Sequence, residues 1–147
     1  MKYLFAIPCL ALLYFGLSGI AQAEETSAAP LKIRLLFADQ EAVVRLDNHP
    51  AVQDFLSMLP LTVSFEDYNN IEKIGYLPRK LRDKDSPSSC DPSVGTFAYY
   101  APWGNLSVFY RDFRHSDGLV PLGHVESGID HLAHMQGTFS VRLERMP

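Results

Sequence analysis

Short runs in which apolar and polar side chains alternate, broken every few positions by turn residues, constrain this chain more than any other feature. Ile33, Leu35 and Phe37 alternate with Lys32, Arg34 and Leu36, and after Ala38-Asp39-Gln40 the run 42–46 continues the pattern as an opening hairpin. Leu61, Val63 and Phe65 alternate with Thr62, Ser64 and Glu66, and Asp67-Tyr68-Asn69-Asn70 turns the chain into a strand over 72–77. A period of two is the strand period, because successive side chains point to opposite faces. A second hairpin is predicted over 96–101 and 105–111 around Pro102-Trp103-Gly104. Extended runs over 119–126 and 139–143 bring the count to about eight strands, with Gly123 expected at a bulge or a close approach. Only two segments read as helices. One places Val52, Phe55, Leu56 and Leu59 behind Asn48-His49-Pro50 and stops at Pro60; the other opens on Ser127-Gly128-Ile129-Asp130, a capping-box pattern, and closes at Gly137. So many short strands in so short a chain predict a mainly β fold closed into a small barrel, since closure removes exposed edges, with short helices capping it.

The N-terminus reads as an address. Lys2, an apolar run from Tyr3 to Gly19 and the triplet Ala21-Gln22-Ala23 have the layout of a signal peptide over residues 1–23, which predicts a periplasmic or secreted protein. An uncleaved membrane anchor is the rival, because the run approaches the ~20 residues that cross a bilayer; the chain meets a membrane only in that case. Cleavage leaves 124 of the 147 residues: a flexible leader over 24–30 and one domain over 31–147. Cys90 is then the sole thiol, so no internal disulfide supports the fold and the core must hold it. A formal charge of −4 without a basic tract excludes the electrostatic footprint of a nucleic-acid binder. The stretch 78–94, rich in proline, serine and charge, is the longest irregular loop, and such loops either serve function or are mobile.

Several tracts carry a resemblance: Asp54 through Thr62, Phe65-Glu66-Asp67-Tyr68, Tyr76-Leu77-Pro78-Arg79-Lys80-Leu81 and Tyr99-Tyr100-Ala101-Pro102-Trp103-Gly104-Asn105-Leu106, joined by 109–113 and Leu122-Gly123. Together they resemble a family of small, mostly uncharacterised prokaryotic proteins with a cyclophilin-like fold. The resemblance implies a closed, mostly antiparallel eight-stranded barrel capped by helices. It does not imply prolyl isomerase activity, and an export signal departs from the many members that look cytoplasmic.

Chemistry is sought first among the aromatics, of which seven fall between Phe97 and Phe113. Alternation sends about half of them into the core. The rest can line a cleft beside the Ala101-Pro102-Trp103-Gly104 turn, where Tyr76, Tyr99, Trp103, Phe109 and Tyr110 would hold a small molecule or a proline-containing peptide and Asn105 would orient it. The expectation is a non-catalytic binding module that needs no cofactor. The alternative is a peptidyl-prolyl cis-trans isomerase, whose needs are an apolar pocket and a donor aimed at the prolyl nitrogen. Phe109-Tyr110-Arg111 is similar to the Phe-His-Arg tract of true cyclophilins, which would make Arg111 that donor. His131 and His134 share a helix face, but with no third fixed ligand no metal site is expected. No Gly-x-Ser-x-Gly elbow or nucleotide-binding glycine pattern is present.

Overall fold

The computed structural model describes residues 28–147. The expected signal peptide over 1–23 and the start of the leader over 24–30 lie outside the described residues. In chain order the first elements are β1 (Lys32–Phe37), β2 (Gln40–Leu46), α1 (Pro50–Leu56), β3 (Leu61–Tyr68), β4 (Glu72–Tyr76) and β5 (Ser89–Cys90). Then come β6 (Thr96–Tyr100), β7 (Asn105–Phe109), β8 (Ser116–Asp117), β9 (Leu119–Ser127), α2 (Ile129–Ala133) and β10 (Phe139–Arg145). Eight of the strands close into an antiparallel barrel in the order β1-β10-β3-β4-β7-β6-β9-β2, and β5 pairs with β8 in a separate ribbon. The mainly β barrel expected from the alternating runs is the architecture found.

Alternation fills the interior. Ile33 and Leu35, Ala42 and Val44, Phe65, Phe97, Leu106 and Val108, Leu122, Val141 and Leu143 all point inward and are fully buried. The helices plug opposite ends. Phe55 of α1 meets Phe97 with ring centroids 5.7 Å apart, and Arg145 at the end of β10 donates to the Leu56 carbonyl at 2.8 Å. Leu132 of α2 is buried at the other end, where the buried ammonium of Lys73 donates to the Met135 carbonyl at 2.7 Å. Gly123 is the close approach its sequence position predicts: a Cβ there would collide with the Arg45 carbonyl and with Leu46 of the neighbouring β2.

Two helix starts differ from expectation. At α1 the N-cap is His49, without a side-chain cap; Asn48 instead accepts from the Gln53 amide, and the free Ala51 N–H is met by the Ser86 hydroxyl at 2.9 Å. At α2 the capping box does not form, because the N-cap is Gly128 at φ +86, pressed against the Glu41 carbonyl where a side chain has no room.

The irregular stretch 78–94 is a pinned strap. Arg79 grips Asp54 of α1 through two hydrogen bonds at 2.7 and 3.0 Å, and the Arg82 N–H adds a third to the same carboxylate. Leu81 is buried and its N–H donates to the Tyr99 hydroxyl at 3.1 Å. Further on, β5 joins β8 and the Gly118 N–H reaches the Ser88 carbonyl at 2.8 Å.

Candidate functional site

The strap matters because of the surface it crosses. In β7, Leu106 and Val108 face the core, so Asn105, Ser107 and Phe109 face outward, and register places Ile74, Ala98 and Glu72 beside them on the same outer wall. The outer face of an antiparallel strand is ordinarily solvated. Here Asn105 and Ser107 are each 1% exposed and Phe109 2%. Phe113, Cys90 and Tyr100 pack with Phe109, Ala98 and Leu119 into a second small core outside the barrel.

Between this cover and the wall lies a groove of about 370 Å³, lined by Tyr68, Glu72, Tyr100, Trp103, Ser107 and Phe109 on the barrel side and by Phe113, Arg114, His115 and Asp117 on the other. Trp103 makes its open corner. The β6–β7 turn is closed by hydrogen bonds from Trp103 and Gly104 to the Tyr100 carbonyl, with Gly104 at φ +79, a conformation that favours glycine. From this turn the indole reaches Tyr68 at the end of β3, centroids 5.5 Å apart and planes at 85°, and Tyr100, 5.4 Å and 80°. Three rings thus meet edge to face, and the indole stays 48% exposed.

The electrostatics of the two faces of β4 differ. Lys73 points into the barrel mouth, 3% exposed, where it meets Asp67 at 3.1 Å and the Tyr110 ring at 5.4 Å. Burial would raise the Asp67 carboxyl, but hydrogen bonds from Tyr110, Asn70 and Lys73 outweigh it and hold the group below the ordinary range. The Tyr110 hydroxyl, donating to Asp67 at 2.5 Å, is pushed up to about 12 by burial and by that carboxylate. Glu72, the preceding residue on the strand, points out into the groove and has no hydrogen-bond or ion-pair partner among the described residues. Burial, and secondarily the charge of Asp67, push its carboxyl up to about 7. Across the groove, Arg114 stacks on Phe113 with its guanidinium carbon 4.6 Å from the ring centre, and His115 lies 3.0 Å from Asp91.

Of the residues singled out in the sequence, Trp103 and Phe109 come together in this groove. Asn105 lies behind it, its amide donating to Ser107 Oγ at 3.1 Å while its own Oδ1 is buried without a partner. Tyr99 points into the core and holds the strap, Tyr110 closes the barrel mouth over Lys73, and Tyr76 is exposed outside the groove lining. Arg111 is exposed just past β7, outside the groove lining; the guanidinium in the groove is that of Arg114. Sequence reasoning missed Tyr100, Phe113, Arg114, His115 and Asp117 as groove residues, and also Tyr68, Glu72 and Ser107. The signal for the last three is the strand register, which places Tyr68 opposite Glu72, Glu72 opposite Phe109, and Ser107 beside Ile74.

Two other hollows, of about 580 and 460 Å³, flank the Ala38–Gln40 turn and lack an exposed Phe, Tyr or Trp ring. Among the described residues no three His, Cys, Asp or Glu side chains converge as metal ligands, and no helix is long and apolar enough to cross a membrane.

Residues 35–144 match the family model described as the cyclophilin-like family. The solution structure of a hypothetical protein from Archaeoglobus fulgidus is similar in fold, with a TM-score of 0.60 and 18% identity, over 80% of this chain and 95% of that one. No curated protein matches the chain.

Proposed function

The chain belongs to the cyclophilin-like family, and from that premise we propose that it is an exported binding module, holding a small molecule or peptide in the groove on the outer wall of the barrel. Family membership supplies the fold; the function has to come from the site. The observation that carries the reading is the right-angled corner of Tyr68, Trp103 and Tyr100 above an unpartnered carboxyl. At about 370 Å³ the groove is within the size range of small-ligand sites, and its aromatic walls with a few polar groups have their usual composition. Aromatic walls give a ligand large contact area, and β3, β6 and the β6–β7 turn hold the rings in place before it arrives, so little ordering cost remains for binding.

Trp103 is the single tryptophan of the chain, so its emission reports on the groove directly. Screening small aromatic, cationic and proline-containing compounds should find ligands that shift this emission, and by heat of binding Trp103→Ala should weaken them at least tenfold while Tyr76→Ala leaves them unchanged. Ligands insensitive to Trp103 would place binding elsewhere. The export reading rests on residues 1–23 and is checked by the mass of the N-terminus of protein recovered outside the cytoplasm, expected to begin at Glu24.

The isomerase reading keeps one observation in its favour: Arg114, with Phe113 and Phe109, lines the same groove and can present a guanidinium to a prolyl ring. Acceleration of a proline-containing test peptide, lost in Arg114→Ala and kept in Arg111→Ala, is the outcome that would establish it. No acceleration at high protein concentration removes it.

A further inference from the structure

The chemistry of the groove's open corner narrows the proposed binding function to a ligand class, and the inference depends on that function being correct. Ring faces carry negative potential, and Tyr68 and Tyr100, each near a right angle to the indole of Trp103, line one groove with it. Glu72 lines the same groove, and among the described residues no positive side chain pairs with it, Arg114 and His115 lying on the opposite wall. A neutral apolar ligand would use the rings and leave the half-buried carboxylate without a partner, and an anion would be repelled by both. We propose that the groove binds a compact organic cation, an alkylated ammonium group, between Tyr68, Tyr100 and Trp103, with Glu72 as its counter-ion.

A bare metal ion fits poorly, since a hard cation needs several oxygen ligands and this corner offers one carboxylate. A primary ammonium keeps three N–H donors that rings satisfy badly, whereas alkyl groups spread the charge over a surface that aromatic faces contact well. The corner is one end of the groove lining. Past Ser107 and Phe109 the lining continues to Arg114, so the remainder of the ligand has room and a polar partner in that direction.

Proton linkage is a consequence of the geometry. The charged or titratable groups around Glu72 are Asp67 and Tyr68 from β3, Lys73 beside it on β4, Tyr100 from β6, and Arg114, His115 and Asp117 from the opposite wall. A cation favours the ionised carboxylate, so binding should tighten as pH rises from 6 to 8. The same rise in His115→Gln would assign it to Glu72.

The test is titration of the protein with choline and with its uncharged isostere 3,3-dimethylbutan-1-ol, following Trp103 emission and heat. Choline should bind at least tenfold tighter than the isostere. Glu72→Gln should remove that preference by weakening choline alone, and Trp103→Ala or the milder Trp103→Phe should weaken both. Glu72→Gln retains the shape of the side chain and removes a half-buried, unpaired charge, so folding, checked by circular dichroism, is expected to be retained. Equal binding of the two compounds, or choline binding indifferent to Glu72→Gln, overturns the cation inference and leaves the binding groove standing. No binding of either at millimolar concentration also overturns it. The broader reading then falls only if the compound screen on Trp103 fails as well.

Discussion

Glu72 and Lys73 are neighbours in sequence, yet one enters the groove and the other the barrel mouth, because they occupy opposite faces of β4. Their environments push the two acid groups nearby in opposite directions. The Glu72 carboxyl titrates near 7 in the folded protein against 4.5 as an ordinary glutamate, so between those values the native state holds a proton that the unfolded chain has lost. Stability should therefore fall as pH rises from about 4.5 to 7 and level off above, by roughly 1–3 kcal/mol. Glu72→Gln should flatten that part of the profile in denaturant titrations at a series of pH values; an unchanged slope would assign it to another group. Asp67 acts with the opposite sign. Its lowered pKa stabilises the fold above the usual carboxylate range, and this support is lost as pH drops below it. Lys73→Ala leaves Asp67 without its cation and opens a hole beside Tyr110, so a loss of about 3–5 kcal/mol is expected. Cys90, half-buried against Phe109 and pushed up to about 11 by burial and by Asp91, should alkylate far more slowly at pH 8 than an exposed thiol. None of these environments was legible in the sequence. Glu72 reads there only as the first residue of a strand, and register with β7 is what sets it across from Phe109.

Elements were far more legible than side-chain neighbourhoods. The alternation of Ile33, Leu35 and Phe37, or of Leu61, Val63 and Phe65, is a direct imprint of which face is buried, and those runs became β1 and β3. Ends were less legible, because what satisfies them comes from far along the chain. The α1 N-terminus is capped by Ser86, which lies 35 residues away, and its C-terminal Leu56 carbonyl by Arg145, 89 residues away. Nothing local predicts either partner. The strap over 78–94 is the clearest case: its composition suits a mobile loop, whereas Asp54, Tyr99 and β8 fix it in place. Ser86→Ala should cost about 1 kcal/mol, as the loss of a helix cap usually does. Asp54→Ala should cost more, since it releases Arg79, the Arg82 N–H and the start of the strap together. Hydrogen exchange should localise that second effect to 79–90 and to α1; a uniform loss of protection would mean that the strap is part of the same cooperative unit as the barrel.

The whole molecule depends on the barrel's seams staying closed, and the seam between β2 and β9 is the most demanding. Both strands twist there, with a register irregularity between Val43 and Val44 and another where β6 meets β9 at Phe97 and Ala98. Gly123 sits between these irregularities, so close to the β2 backbone that even a methyl group would strike the Arg45 carbonyl. Backbone atoms held in a closed ladder cannot step aside as a flexible side chain can, so relief requires the strands to part. Gly137, in the turn before β10, has positive φ but open space around it, and adding a methyl there strains one residue without touching another. Gly137→Ala should therefore cost about 1 kcal/mol, and Gly123→Ala about 2–4 kcal/mol as overpacking against a rigid wall. For a domain of this size the difference is a gap of several degrees in melting temperature. Faster exchange at the amide of Asp47, which donates to the Leu122 carbonyl at 2.9 Å across that seam, in Gly123→Ala alone would locate the damage there. Equal costs for the two substitutions would mean that the barrel absorbs the extra methyl by flexing, and that its closure is looser than its filled interior implies.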